Sequence, residues 1–516
     1  MPLNTWKVFN SIKNTVSKVS ADKLLQANIQ QIKIKLPITL GINEYLKLGG
    51  EKLNSVQQSL QNIYNSSLSY TLKDNTNHKS WKKSKSQSSD IPGQILQLLN
   101  LINLSSTESS LTETVELLLI QLRQNSEIRH IAIKLGAIHL LLRKRSKFQT
   151  DKTIGALREA LTILGYIDPV SKRGIRILSI DGGGIRGVLV LEMLKKLEEL
   201  TGQRTYDLFD FICGVSTGAI LAYSIGIHLR KLDDIITRYE ALSQEIFRQS
   251  PFWGTGNLVR KHAYYDTELW EKKLKDYLGA DSLISTSRKL QTPKLCVVSA
   301  IVNQSQVQAH VFRNYSLPWK FQSYYLGTHD QAVWEAARAS AAAPTYFEEF
   351  KIGNYIHQDG GILVNNPTAI AVHEAKLLWP NTPVQCVVSF GTGRTVPNKP
   401  EVPHKLLSDI GYMGTSWTNK FYKILDSATD TEAVHVMLSD LLPENVYYRF
   451  NPYLSEMVGM VESDQKKHEQ LKRDAVMYLR RNEDKFQEAA KTLMLKKKIT
   501  QEIKDKINLQ RQIIGI

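Results

Sequence analysis

Apolar residues at helical spacing open the chain: Trp6, Phe9, Ile12, Val16 and Val19, with Lys7, Lys13 and Lys18 between them. That pattern predicts a short amphipathic helix, either lying on a membrane or packed against its own domain. From 65 to 92 the apolar positions give way to Ser, Asn, Gln and Lys. Such a stretch buries too little apolar area to offset its ordering entropy, so a flexible polar linker is expected there, after a basic amphipathic region over 1–64. Leucine-rich helical periods fill 93–168. Within them "IRHIAIKLGAIHLLLRKRS" and "TIGALREALTILGYI" look armadillo-like: a helix, a Gly turn, then two more helices. One or two such units cannot build a long groove, and a small helical bundle packed on the next domain is the simpler reading.

Beyond Pro169 the pattern changes to short apolar runs alternating with amphipathic helices. Strands are predicted at 176–180, 209–214, 294–301 and 384–390. This is the signature of an α/β domain with a largely parallel sheet. From 463 to 516 the chain is charged and helical, which predicts a solvent-facing C-terminal tail.

With 42% hydrophobic and 22% charged residues among 516, the chain as a whole is not disordered. No run approaches the 18 apolar residues a membrane-spanning helix requires, and the first 20 residues lack a secretory apolar core. Three cysteines sit far apart in apolar stretches, which favours a reducing compartment over a disulfide framework. The net charge is +16, and its distribution narrows the partners. Residues 1–150 carry 20 Lys and Arg against 9 Asp and Glu, a balance suited to a polyanionic surface. No nucleic-acid-binding module is recognisable, so lipid is the better polyanion and no nucleic acid is expected.

Between the first strand and its helix, Gly182, Gly184 and Gly187 fit G-x-G-x-x-G, the fingerprint of a dinucleotide cradle. That cradle needs a second strand ending in an acid for the ribose. Here the second strand instead ends in Gly214-Val215-Ser216-Thr217-Gly218, a G-x-S-x-G nucleophile elbow on the strand-to-helix turn it requires. Asp181 would also stand close to a bound pyrophosphate. The glycines are therefore expected to aim backbone N–H groups at an oxyanion, with Gly183 and Gly184 as main donors and Gly182 and Ile185 close behind. Arg186, which follows the loop, either faces an anionic headgroup or pairs with a carboxylate of the fold. Asp359, in Asp359-Gly360-Gly361 at the end of a short strand, is the candidate base. His357, two residues earlier and on the same strand face, is the alternative.

The order D-G-G-G-x-R-G, G-x-S-x-G, D-G-G resembles the patatin-like phospholipases, which use a Ser–Asp dyad. "VFRNY", "ARASAAAPTYF" and "HQDGGILVNNPTAIAVHEAKLLWP" extend the likeness toward the animal calcium-independent members, from about Arg176 to near the C-terminus. The resemblance implies a three-layer α/β/α domain with a mainly parallel sheet, its core over 176–372 and its remainder over 373–462, preceded by the all-α, armadillo-like region. It implies Ser216 as nucleophile, Asp359 as base and the glycine loop as oxyanion hole, with no cofactor and no metal. The implied substrate is a glycerophospholipid at a phospholipid membrane surface. The implied setting is intracellular and peripheral to the mitochondrial or endoplasmic reticulum membrane. The chain ends in "QIIGI" rather than a peroxisomal signal, and a homo-oligomer is left open. The aromatic segments "SPFWGTG", "HAYYD" and "LPWKFQSYYLG" are candidates for an interfacial rim beside the site. A catalytically silent lipid-binding protein is the competing function class.

Overall fold

The computed structural model describes residues 91–124, 126–247, 264–394, 431–456 and 458–515. The expected helix over Trp6–Val19, the aromatic segment 250–256 and all but the last two linker residues lie outside them. Those two, Ile91 and Pro92, already belong to the first helix.

Among the described residues five helices come first: α1 (Ile91–Leu104), α2 (Glu108–Gln124), α3 (Ser126–Lys134), α4 (Ala137–Arg145) and α5 (Asp151–Ile163). Their leucine stripes converge, with Leu98, Ile102, Leu111, Val115, Leu118 and Leu157 among the buried residues of one cluster. Ile284, from a 3₁₀ turn just before β3, enters the same cluster and ties these helices to the α/β domain. Glu159 reinforces the junction. Its side chain is fully buried and pairs with both Arg123 and Arg288.

The α/β domain carries nine strands: β1 (Ile175–Ile180), β2 (Phe211–Val215), β3 (Lys294–Ile301), β4 (Gln308–Arg313), β5 (Leu326–Thr328), β6 (Phe350–Ile352), β7 (Tyr355–Asp359), β8 (Val384–Phe390) and β9 (Tyr447–Phe450). The main path runs β5-β4-β3-β2-β1-β8-β9, and β3-β2-β1-β8-β9 is parallel throughout. All four strands expected from apolar runs are present. Every residue of β1 and β2 is buried, because helices cover both faces of a parallel sheet. Leu178, Ile180, Ile212 and Val297 face α6 (Gly187–Thr201) and its neighbours, while Ile177, Phe211, Val215 and Val298 face α12 (Thr368–Leu378). The layers are therefore α/β/α.

Between these lie α7 (Thr205–Leu208), α8 (Thr217–Gly226), α9 (Leu232–Phe247), α10 (Thr267–Leu278) and α11 (Val333–Ser340); α13 (Thr431–Leu441) precedes β9. The C-terminal segment departs from expectation. α14 (Gln465–Arg481) and α15 (Glu483–Leu493) are not a solvent-facing tail but part of the helical layer beside α6. Leu471, Ala475, Phe486, Ala489 and Leu493 are fully buried there, and Phe486 stacks on Phe450 of β9 with ring centroids 4.0 Å apart. Each helix confines its apolar residues to one narrow face beneath a strongly charged one, so overall composition hid the packed face. Among the described helices only α16 (Ile499–Ile514) has no buried residue. It rests Leu509 and Ile513 on the N-terminal helical cluster. No described helix is long and apolar enough to cross a membrane.

Candidate active site

The site forms where two strands share one edge of β3. β2 runs parallel to β3 until Val215 stands opposite Val298. There β2 turns away, and β7 arrives antiparallel on the same edge with Asp359 opposite Ser299. Ser216 and Asp359 lie 143 residues apart in sequence, yet consecutive rungs of one strand bring them together. The Ser216 hydroxyl donates to Asp359 Oδ2 at 2.6 Å, and the Gly361 N–H donates to Oδ1 at 2.8 Å.

Ser216 occupies a conformation that L-residues rarely adopt, with φ 55° and ψ −121°. Such strain persists only where the surroundings over-determine it. Two glycines permit the tight turn. A Cβ on Gly214 would fall 2.2 Å from the Gly218 carbonyl oxygen, and one on Gly218 would fall 2.3 Å from that of Ile180. Ser340, at the end of α11, holds the turn from behind. It accepts the Ser216 N–H at 2.9 Å and donates to the Val298 carbonyl at 2.6 Å, closing the gap that β2 leaves on β3. Ser216 also caps the N-terminus of α8, whose dipole favours negative charge at this point.

Asp359 is 7% exposed. Burial raises its carboxyl to about 6, against the opposing pull of the bonds from Ser216 and Gly361. His357 lies on the same strand face but takes another partner: its Nδ1 meets Ser299 Oγ at 2.9 Å, and its ring packs against His310 and Phe312. Burial pushes its pKa down to about 4, so the ring is neutral near pH 7. Both Asp359 oxygens are engaged by Ser216 and Gly361, and neither is bonded to His357.

The glycine loop passes over Ser216. The Gly182 N–H donates to the Asn365 carbonyl at 3.3 Å and the Ile185 N–H to the Met460 carbonyl at 2.8 Å. Of the four expected donors, only the N–H groups of Gly183 and Gly184 are without an acceptor among the described residues. Gly184 has φ +59°, and a Cβ there would lie 2.0 Å from the Met460 carbonyl oxygen. Arg186 lines the cavity, half-buried, and its Nε donates to the Gly183 carbonyl at 3.3 Å. Asp181 does not line the cavity; it forms a buried bidentate pair with Arg449 at 2.6 and 3.0 Å.

Above the Ser–Asp pair lies an apolar cavity walled by Ile220, Leu242, Phe247, Trp270, Phe347 and Val461. Of the expected aromatic rim, Tyr265 supports this wall through ring contacts with Phe247, Tyr346 and Phe347, and Tyr264 packs on Tyr265. The segment 317–327 does not belong to the rim. β4 runs antiparallel to β3 and carries the chain toward the opposite end of the sheet. There Tyr315 packs on Phe211 at the start of β2, and Trp319 meets His130 of α3.

Ser340, Asn365 and Thr392 escaped sequence reasoning. Each is a lone polar residue whose partner is far away in the chain, and only "ASAAAP" and "FGTG" hinted at tight backbone around two of them. A hydroxyl bonded to a buried carboxylate, beneath unpaired N–H groups and an apolar cavity, has the components that acyl transfer needs.

Residues 178–372 match the model of the patatin-like phospholipase family. The chain is 45% identical over 398 residues to rabbit calcium-independent phospholipase A2-gamma, covering 77% of this chain and 49% of that protein. The human protein of the same name is 44% identical over 397 residues, with 77% and 50% covered. Phospholipase A I of Arabidopsis thaliana is 31% identical over 397 residues, with 65% and 29% covered. The chain thus spans about half the length of the mammalian proteins it matches. Elbow, glycine loop and D-G-G turn all fall inside the matched span, and this α/β domain belongs to the patatin-like phospholipase family.

Proposed function

We propose that the protein is a lipid acyl hydrolase that cleaves fatty acyl esters of glycerophospholipids at a membrane surface inside the cell, with Ser216 as nucleophile and Asp359 as base. The observation that carries this reading is the 2.6 Å bond from the Ser216 hydroxyl to a buried carboxylate. In the proposed reaction Asp359 takes the hydroxyl proton as Ser216 Oγ bonds to the ester carbonyl carbon. The carbonyl oxygen becomes an oxyanion facing the Gly183 and Gly184 N–H groups. On collapse the ester C–O bond breaks, and Asp359 returns the proton to the departing lysophospholipid oxygen. Water then gives a proton to Asp359 and attacks the acyl-enzyme, which releases free fatty acid and restores Ser216. The apolar cavity suits an acyl chain, and Arg186 at its edge suits the phosphate side of the substrate. Phospholipids of defined chains, incubated with the full-length protein, should yield fatty acid and lysophospholipid in equal amounts, and rates unaltered by excess chelator would make the cleavage calcium-independent. Intact lipid after prolonged incubation would refute the reading.

The pKa of the base sets the pH dependence. Asp359 must be ionised to accept the proton, and burial places its carboxyl near 6 rather than 3.8. kcat/KM should therefore rise with pH to a plateau above about 7, with a single acid limb near 6. A limb near 4 would mean that burial does not tune this carboxylate.

Gly184→Ala tests the loop. The new Cβ meets the Met460 carbonyl and a positive φ, so the peptide must shift away from its present plane. Turnover should fall by about 100-fold or more, the scale of losing one oxyanion donor. Near-normal turnover with unchanged melting temperature would assign this glycine a purely structural role.

A further inference from the structure

We infer that Thr392 is a positioning residue of the glycine loop: its hydroxyl fixes the plane of the Gly182–Gly183 peptide and so aims the Gly183 N–H at the point of ester attack. The inference rests on the reading of Gly183 and Gly184 as oxyanion donors. A trans peptide holds its C=O and N–H on opposite sides of one rigid plane, so whatever grips the carbonyl also directs the N–H. Thr392 Oγ1 donates to the Gly182 carbonyl at 2.6 Å. The next carbonyl, of Gly183, receives the Arg186 N–H and Nε at 3.3 Å each, and that of Gly184 receives the Tyr239 hydroxyl at 2.6 Å. All three carbonyls of the loop are thus held by groups outside the Ser–Asp pair. Two of the contacts are short, and only the one from Thr392 acts on the peptide whose N–H is Gly183.

Thr392 is well mounted for this task. It follows β8 and is 4% exposed. Its neighbours are pinned to the end of β9: the Gly391 N–H donates to the Phe450 carbonyl at 2.8 Å and the Gly393 N–H to Asn451 Oδ1 at 3.0 Å. The hydroxyl presses so closely on the loop that a Cβ on Gly183 would fall 2.1 Å from Oγ1. A β-branched side chain is stiff about χ1, so the donor enters the reaction already aimed. Preorganised donors are effective because they need not reorient as charge develops.

The full-length protein should be compared with Thr392→Val, Thr392→Ala and Thr392→Ser on a soluble short-chain ester. Removing the hydroxyl, as Val and Ala do, should lower kcat by about 10- to 100-fold while KM stays within about twofold, a share of what deleting a whole donor costs. Ser keeps the donor and should stay within about threefold of wild type. A trifluoromethyl ketone, which forms a tetrahedral adduct on a nucleophilic serine, should lose affinity by the same factor as kcat/KM. The matching secondary alcohol, which forms no adduct, should bind unchanged. Should the Val protein fail to fold, the Ala protein, which adds no atoms, carries the comparison. A folded Val or Ala protein with wild-type kcat, a Ser protein as impaired as Ala, or equal losses for ketone and alcohol would each overturn the assignment to Thr392. Those results leave the Ser216 reading standing, whereas a wild-type protein that neither cleaves the ester nor binds the ketone overturns both.

Discussion

Replacing Ser216 by alanine should remove ester hydrolysis, by at least about 10⁴-fold, with the fold retained. The substitution deletes only the hydroxyl. The backbone of the elbow stays clamped by Ser340 and by the close approach of Gly214 and Gly218. A fluorophosphonate should label the wild-type protein at this residue and leave the alanine protein unmodified. Labelling of another serine in the alanine protein, with activity retained, would move the nucleophile elsewhere.

The second large effect is expected at Asp359. Asparagine preserves the shape of the side chain but cannot take a proton from Ser216, so kcat should drop by at least about 1000-fold. His357→Gln serves as the contrast. The histidine bonds to Ser299 and is neutral, and glutamine keeps hydrogen-bonding capacity, so the loss should be below about tenfold. Equal damage from both substitutions in folded proteins would make the histidine the base.

Stability should move the other way. A carboxyl whose folded pKa lies above its unfolded value contributes stability fully present below pH 3.8 and lost as pH rises through about 6. Above that window the ionised, buried carboxylate costs about 3 kcal/mol. Asp359→Asn removes the cost, so the variant should melt higher than wild type at pH 8 and no higher below pH 4. A difference independent of pH would show that the carboxylate is not destabilised by burial.

What the sequence revealed, and what it hid, follow from the range of the contacts involved. The elbow was legible because strain at one residue demands glycines two positions away on either side, which is a local pattern. The strands were legible because burial on both faces leaves uninterrupted apolar runs. Asp359 was found through its glycines rather than its environment; its burial and its place on the edge of β3 depend on pairing that no local pattern records. Ser340 and Thr392 act across 124 and 210 residues respectively and carry no periodic signal. The aromatics of 317–327 have the composition of a rim, but composition does not tell that they lie beyond β4, with Trp319 at the far end of the sheet and Tyr324 and Tyr325 leading into the edge strand β5. α14 and α15 were hidden for another reason: their apolar period is strong, but the charged outer faces dominate their composition.

The shared edge of β3 also bears on when the protein becomes competent as it folds. Contacts of high sequence separation form late, because loop closure must be met before they stabilise anything. The Ser216–Asp359 bond spans 143 residues and requires β3 to have paired with both β2 and β7. The elbow takes its glycines from neighbours in the chain, but Ser340, which holds it, lies 124 residues away. Neither the held serine turn nor its bond to Asp359 is therefore complete until the sheet closes. Partly folded molecules thus hold a serine without its carboxylate partner.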